Sequence, residues 1–256
     1  MSPDASRTGL FIVGARGAVA STVLHGLEGL RSGMPPVGLV TSLPEFGAVP
    51  FRDPCGFRLH GWDVAGDIHR TAEDLARTNV LPRDLVEMCA GLRERVQLSL
   101  APGVPEPEDS EIVDPAAGER LLHAPSEAIE ALRRDIRGWM KEERLQHAVV
   151  VYLATVERKR TLPEGWMDPA ADPMELAFGA PATISRSLLY GVAAVAEGLP
   201  FINFTPAPGP QVPAFACWAE RKGVPVLGSD GKTGETLLKT ALAPMFRDRA
   251  LNVLSW

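Results

Sequence analysis

The stretch "LFIVGARGAVA", Leu10 to Ala20, holds a short apolar run, a glycine that ends it, a second glycine three residues on and a following run of helix formers. Leu10–Val13 has the length and composition of a strand buried on both faces. Behind it Val19, Val23, Leu27 and Leu30 recur at spacings of four, four and three, the period of a helix face. Between them Gly14-Ala15-Arg16-Gly17-Ala18-Val19-Ala20 fits Gly-x-x-Gly-x-x-Ala. Gly14 suits a tight turn, and Gly17 lets a ligand backbone approach the start of the helix. The free N–H groups and dipole of that helix end favour a pyrophosphate. A strand before and a helix after the glycines are the context that gives such a motif meaning.

Working outward, "VGLVTS" (Val37–Ser42) reads as a second strand after the Gly33 and Pro35 stop signals. The acid usual at the end of a second strand is missing there, where the sequence runs Thr41-Ser42-Leu43-Pro44, so Glu45 or Asp63 is left to bind a ribose. Residues 43–125 are proline-rich and form an irregular, partly helical excursion from the sheet, with "LPRDLVEMCAGLRERV" helical and "APGVPEPEDSEIVDPAAGE" an exposed acidic loop. Alternation then resumes. Ser126 caps a helix with Ile129, Leu132, Ile136 and Met140 on one face. "AVVVYL" (Ala148–Leu153) is a buried strand, and Ser185–Glu197 is a helix with Leu188, Leu189, Val192 and Val195 inward. "FINF", a helix over Ala214–Lys222 and "VPVLG" follow. Thr233–Phe246 is a helix with Leu237, Leu238, Ala241 and Leu242 inward, and "LNVLS" is a closing sixth strand. The pattern predicts one α/β domain over residues 1–256, a Rossmann-like doubly wound parallel sheet.

Composition narrows function. The chain of 256 residues has a formal net charge of −6, against a nucleic-acid surface. Three unspaced cysteines, Cys55, Cys89 and Cys217, fit a reduced cytoplasmic setting. Neither a secretory leader nor an apolar run long enough for a bilayer is visible. The five histidines include no metal-type pair, His25 reads as a satisfied helix residue, and no metal is expected.

In doubly wound sheets ligands gather beyond the carboxyl ends of the strands. "GARGAV", "ATVERKR", "NFTPAPG" and "GSDGKTGE" are the segments leaving those ends. The last contains Gly-Lys-Thr, but a phosphate-wrapping P-loop needs a glycine where Val226 stands. Lys232, beside Asp230 at a helix start, reads either as an acid/base or oxyanion-stabilising group or as a surface lysine near a cap. Glu157–Arg160 reads as a solvated charge run.

Together "FIVGARGAVAST", "VVVYLATVER", "SRSLLYGVAAVAEGLPFINFTP" and "GSDGKTGETLLKTALAPMF" resemble inositol-3-phosphate synthase, also called myo-inositol-1-phosphate synthase. The resemblance runs in order along the chain and is weakest over residues 43–125. It implies NAD as cofactor, glucose 6-phosphate as substrate, a cyclisation in which a hydride is taken and returned, and a homo-oligomer. It implies that Gly14, Ala15, Arg16, Gly17, Ala18 and Val19 hold pyrophosphate, and that Thr155, Asn203, Thr205 and Asp230 line the nicotinamide side. Lys232 and Lys239 match family lysines. Ala15 and Arg16 stand where many members carry further glycine, and Ser229 stands where Asp or Asn is frequent. The family's substrate and oligomerisation domain has no counterpart expected within residues 1–256. Two other readings stay open: another NAD(P)-dependent dehydrogenase of a small phosphorylated or carboxylated metabolite, and a non-catalytic dinucleotide-binding module.

Overall fold

The computed structural model describes residues 7–106, 113–118, 124–155, 157–158, 161–181, 184–231 and 234–254. Strand β1 (Thr8–Val13) runs into helix α1 (Ala18–Arg31), as the glycine-punctuated opening predicts. The helix face is rotated from the expected one. Ala20, Leu24 and Leu27 are buried against the sheet, whereas Val19 and Val23 are 49% and 40% exposed. Small Ala20 and Ser21 let the helix lie close to the strands, and the larger valines fall beside that stripe.

The second strand is the main correction. Apart from half-buried Leu39, Val37–Ser42 is exposed, and it forms only a 3-10 turn over Val40–Ser42. Pro35 and Pro36 precede it and Gly38 takes φ +80°, so no extended, two-sided run develops. Strand β2 is instead Phe57–Asp63, inside the region read as an excursion. Its "FRLHGWD" has no apolar run because its two faces differ and Arg58, His60 and Gly61 interrupt it. Gly61 is required there: a Cβ would stand 2.0 Å from the Ile12 carbonyl oxygen of β1.

Three helices follow, α2 (Ile68–Arg77), α3 (Arg83–Met88) and α4 (Ala90–Ser99). Strand β3 (Leu100–Pro102) then adds a short edge where only acidic loop was expected. After α5 (Pro115–Gly118), helix α6 (Pro125–Glu142) starts at Pro125 with Ala124 as its cap residue, so Ser126 lies in the first turn. Glu127 closes that end by accepting the Ala124 N–H at 2.9 Å. Ile129, Leu132 and Ile136 are buried as expected. Strand β4 (His147–Tyr152), helix α7 (Pro173–Phe178), helix α8 (Arg186–Ala196), strand β5 (Phe201–Asn203), helix α9 (Pro213–Arg221), strand β6 (Val226–Leu227) and helix α10 (Gly234–Asp248) complete the order.

The strands form one parallel sheet in the order β3-β2-β1-β4-β5-β6, the doubly wound Rossmann order. Sequence therefore predicts the right number of strands with two misplaced. "LNVLS" is not a strand over its described residues 251–254, where Leu254 is 89% exposed. β6 pairs with β5 alone, and those residues have no strand partner. Helix α10 also departs from expectation, since Leu238 is 61% exposed and Ala241 is exposed. The side chain of Leu237 lies outside the described residues.

Two cores flank the sheet. Leu10 and Ile12 of β1 point toward α1–α4, and Phe11 and Val13 point the other way toward α6, α8 and α9. Trp62, fully buried, packs at 4.6 Å from Trp139 and 5.4 Å from Tyr190 between ring centroids, and its Nε1–H donates to Asp135.

Two glycines separate packing from backbone freedom. Gly61→Ala is expected to destabilise by at least ~2 kcal/mol, because the obstacle is neighbouring backbone. Gly138→Ala, in α6 with nothing within 4 Å of an added Cβ, is expected to stabilise by about 0.5–1 kcal/mol. Urea unfolding of both variants checks this; equal effects at the two sites would contradict the register of β1 against β2.

Candidate active site at the carboxyl edge of the sheet

The order of the strands reverses between β1 and β4, which are paired side by side, and such a switch point is where a doubly wound sheet places its ligand crevice, at the carboxyl ends. Gly14 begins the loop there with φ +82°, a left-handed conformation that suits glycine. A Cβ at Gly14 would stand 2.7 Å from Ala154 Cα, so the loop and the segment leaving β4 touch backbone to backbone. The N–H groups of Gly14 and Ala15 donate to the Trp62 carbonyl at 2.9 and 3.3 Å, tying the loop to β2. Gly17 sits at the N-terminus of α1 with φ −72° and ψ 166°, with no side-chain cap and no acidic residue in the first turn. The helix thus begins with open N–H donors over the crevice.

Asp63 ends β2, the position usual for the ribose-binding acid. Correcting the strand restores the acid that the sequence reading found missing. Its Oδ2 accepts the Arg16 backbone N–H at 2.7 Å and its Oδ1 accepts that of Val64 at 2.8 Å. Burial pushes its carboxyl above the usual range, opposed by those two N–H bonds and the Arg16 charge. The Arg16 guanidinium leaves the loop and pairs with Asp114 through Nη1.

On the other side of the crevice, Thr155 is exposed at the end of the β4 segment. Asn203, 1% exposed, accepts the Thr205 N–H at 3.0 Å and hydroxyl at 2.8 Å through Oδ1, and its Nδ2 donates to the Ala207 carbonyl at 2.7 Å. The Thr205 hydroxyl in turn accepts the Ala207 N–H at 3.2 Å. Asn203 and Thr205 therefore build the turn after β5. Asp230 is brought to that turn: its N–H donates to the Thr205 carbonyl at 3.1 Å, and that of Gly231 donates to Phe204 at 3.1 Å. Lys239 is exposed on α10. Lys232 lies outside the described residues, so the fold gives no geometry for it.

Two residues here escaped the sequence reading. Glu157, read as part of a solvated charge run, is half-buried and accepts the N–H groups of Arg186 at 3.0 Å and Ser187 at 2.6 Å and the Tyr152 hydroxyl at 2.8 Å. It closes the N-terminus of α8 and pins the segment carrying Thr155. Burial, with Glu157 beside it, holds the Tyr152 phenol well above its usual value, so it donates as a neutral hydroxyl. The signal available was an acid a few residues beyond a strand, which periodicity does not report. Asp114 had no sequence signal at all.

Away from this edge, His25 is buried in α1, with Nδ1 2.7 Å from the Ser21 carbonyl and Arg93 beside Nε2, the satisfied helix histidine expected. Cys55, Cys89 and Cys217 are free thiols. Among the described residues no group of three or more His, Cys, Asp or Glu is placed to hold a metal, and no helix is long and apolar enough to cross a membrane.

An NAD-binding family model described as myo-inositol-1-phosphate synthase matches residues 41–252. Inositol-3-phosphate synthase 1 of Bacteroides thetaiotaomicron is 30% identical over 270 aligned residues, spanning 100% of this chain and 61% of that protein. The Saccharomyces cerevisiae inositol-3-phosphate synthase is 25% identical across 88% of this chain and 43% of its own length. The chain thus spans about half the length of these relatives. A Caenorhabditis elegans inositol-3-phosphate synthase structure superposes with a TM-score of 0.77 at 22% identity, over 96% of this chain and 53% of that one, and shares the fold. With a family match over most of its length and the glycine loop, Asp63 and the β5 turn arrayed along one sheet edge, the chain belongs to the myo-inositol-1-phosphate synthase family.

Proposed function

We propose that this chain is the nucleotide-binding portion of an inositol-3-phosphate synthase, which binds NAD and acts on glucose 6-phosphate to form inositol 3-phosphate. The observation that carries the reading is the Gly14–Gly17 loop, which holds an uncapped helix start over the β1/β4 crevice with Asp63 at the end of β2. The cradle fits a dinucleotide. Side chains are excluded at Gly14, donors are open at α1, and the Asp63 carboxylate keeps acceptor capacity beyond the backbone N–H groups of Arg16, Val64 and Ala65 that it serves.

In this reading the N–H groups of Ala18 and Val19 at the start of α1 hold the pyrophosphate, and Asp63 accepts a ribose hydroxyl. The segments at Thr155, Asn203–Thr205 and Asp230 form the nicotinamide side. When bound, NAD would supply an acceptor able to take a hydride from the sugar and return it, which leaves the overall cyclisation redox-neutral. The chain's contribution is placement. Glu157 fixes the β4 segment, and the bonds from Asp230 and Gly231 to the β5 turn fix the loop leading to Lys232. Lys232 stabilises negative charge on a substrate oxygen and moves protons, with Lys239 of α10 as the second family lysine. A homo-oligomer is part of the same reading.

Gly17→Val tests the cofactor site. Gly17 has φ −72°, which valine tolerates, and an added Cβ meets only the Gly14 carbonyl at 3.2 Å, so the variant is expected to fold. Its side chain stands before the helix N–H groups and is expected to weaken NAD binding at least about tenfold, the worth of one charge-assisted contact. Titration calorimetry on both proteins decides it; equal affinities would move the cofactor elsewhere.

For the chemistry, Lys232→Ala in the complete enzyme is expected to lower inositol phosphate formation by about a hundredfold or more. NAD affinity should stay within about threefold, because the lysine acts mainly as charge develops on oxygen. Near-normal product formation, followed by phosphorus NMR, would return Lys232 to a surface role.

A further inference from the structure

Arg16 is an unusual occupant of the glycine loop. Its side chain is only 14% exposed and its Nε is buried without a hydrogen-bond partner. Its Nη1 is 2.5 Å from Asp114 Oδ2. Asp114 is itself fixed, its N–H donating to the carbonyl of Val64, the residue after Asp63, at 2.9 Å. The Arg16 backbone N–H meanwhile donates to Asp63. One guanidinium and two carboxylates are thus linked into a single assembly at the end of β2.

In a doubly wound dinucleotide site this is where the adenosine ribose lies, and where an arginine receives the 2′-phosphate of NADP. Arg16 is at hand for that task, and Asp114 already holds it. We propose that Asp114 is a specificity-determining residue that withholds Arg16 from a ribose 2′-phosphate and so sets this chain for NAD over NADP. The inference rests on the dinucleotide reading above. With both carboxylates ionised the assembly carries one net negative charge beside the ribose hydroxyl, which disfavours a phosphate dianion. Removing the Asp114 charge leaves the assembly neutral and frees a fork of donors suited to phosphate.

The test is calorimetric titration of NAD and NADP into the intact protein and into Asp114→Asn, Arg16→Ala and the double variant. Asparagine keeps the backbone bond to Val64, and the Asp114 side chain is 45% exposed, so the fold should tolerate it; thermal melts check that. Wild type is expected to bind NAD at least about a hundredfold tighter than NADP, the worth of two charge-assisted contacts. Asp114→Asn should narrow that ratio about tenfold through a gain in NADP affinity that steepens its salt dependence. Adding Arg16→Ala should abolish the gain. Wild-type binding of NAD with an unchanged ratio in a folded Asp114→Asn protein would overturn the role of Asp114 alone. A gain that survives Arg16→Ala would do the same. Failure of wild type to bind either dinucleotide would overturn the dinucleotide reading itself.

Discussion

The backbone of Ala154 stands where a side chain at Gly14 would be. That contact governs the carboxyl edge. Two parallel neighbours, β1 and β4, bring their ends together, and the chain leaving β1 must turn at once or collide. Glycine turns because it tolerates φ +82° and presents no atoms to the adjacent segment. Once turned, the loop reaches sideways, and its first N–H groups bond to β2 through the Trp62 carbonyl. Three strand ends are therefore fastened before α1 begins, and the position of the helix start follows from them. A bulkier residue would strain the backbone and part the strands.

Along the rest of the edge the chain meets a second demand: polar groups removed from water must find partners. An unmade hydrogen bond at a buried group costs about 1–3 kcal/mol. The structure meets this with side chains that bond to backbone. Glu157 serves the first N–H groups of α8, Asn203 organises the turn after β5, and Asp67 accepts the His69 and Arg70 N–H groups at the head of α2. Each strut joins a loop to a regular element, so the loops inherit the rigidity of the sheet. Preorganised polar groups of this kind suit chemistry in which charge appears transiently.

What the sequence revealed, and what it hid, follows from the same physics. β1, β4 and α8 are sealed on both faces, and burial leaves an apolar imprint that a reader can find. β2 is legible only after the fact, because it mixes Arg58, His60 and Gly61 with Leu59 and Trp62 according to which face each meets. β3 has three residues, too few for any period. The site was legible where glycine constraints write it, at Gly14 and Gly17. It was hidden at Glu157 and Asp114, whose partners are distant in sequence: Asp114 meets Arg16 across 98 residues. A second strand expected at Val37–Ser42 hides the significance of Asp63, which then falls within an irregular segment instead of at a strand end.

The pairing register has a consequence for how the molecule comes into being. Thr8 lies beside Phe57 on one side and beside His147 on the other. The centre of the sheet is thus the earliest of these six strands to leave the ribosome and among the later ones to be completed. Loop closure over such separations is slow compared with forming local helices. Until β4 is synthesised, the nascent β1 carries an open edge and a face bearing Phe11 and Val13 that α6 and α8 will later cover. Aggregation during synthesis is a hazard of exposed strand edges of this kind. The α1–α4 layer, built from residues that emerge early, can shield the other face while the chain grows. The order of the strands in the sheet thus also sets which half of the molecule needs protection first.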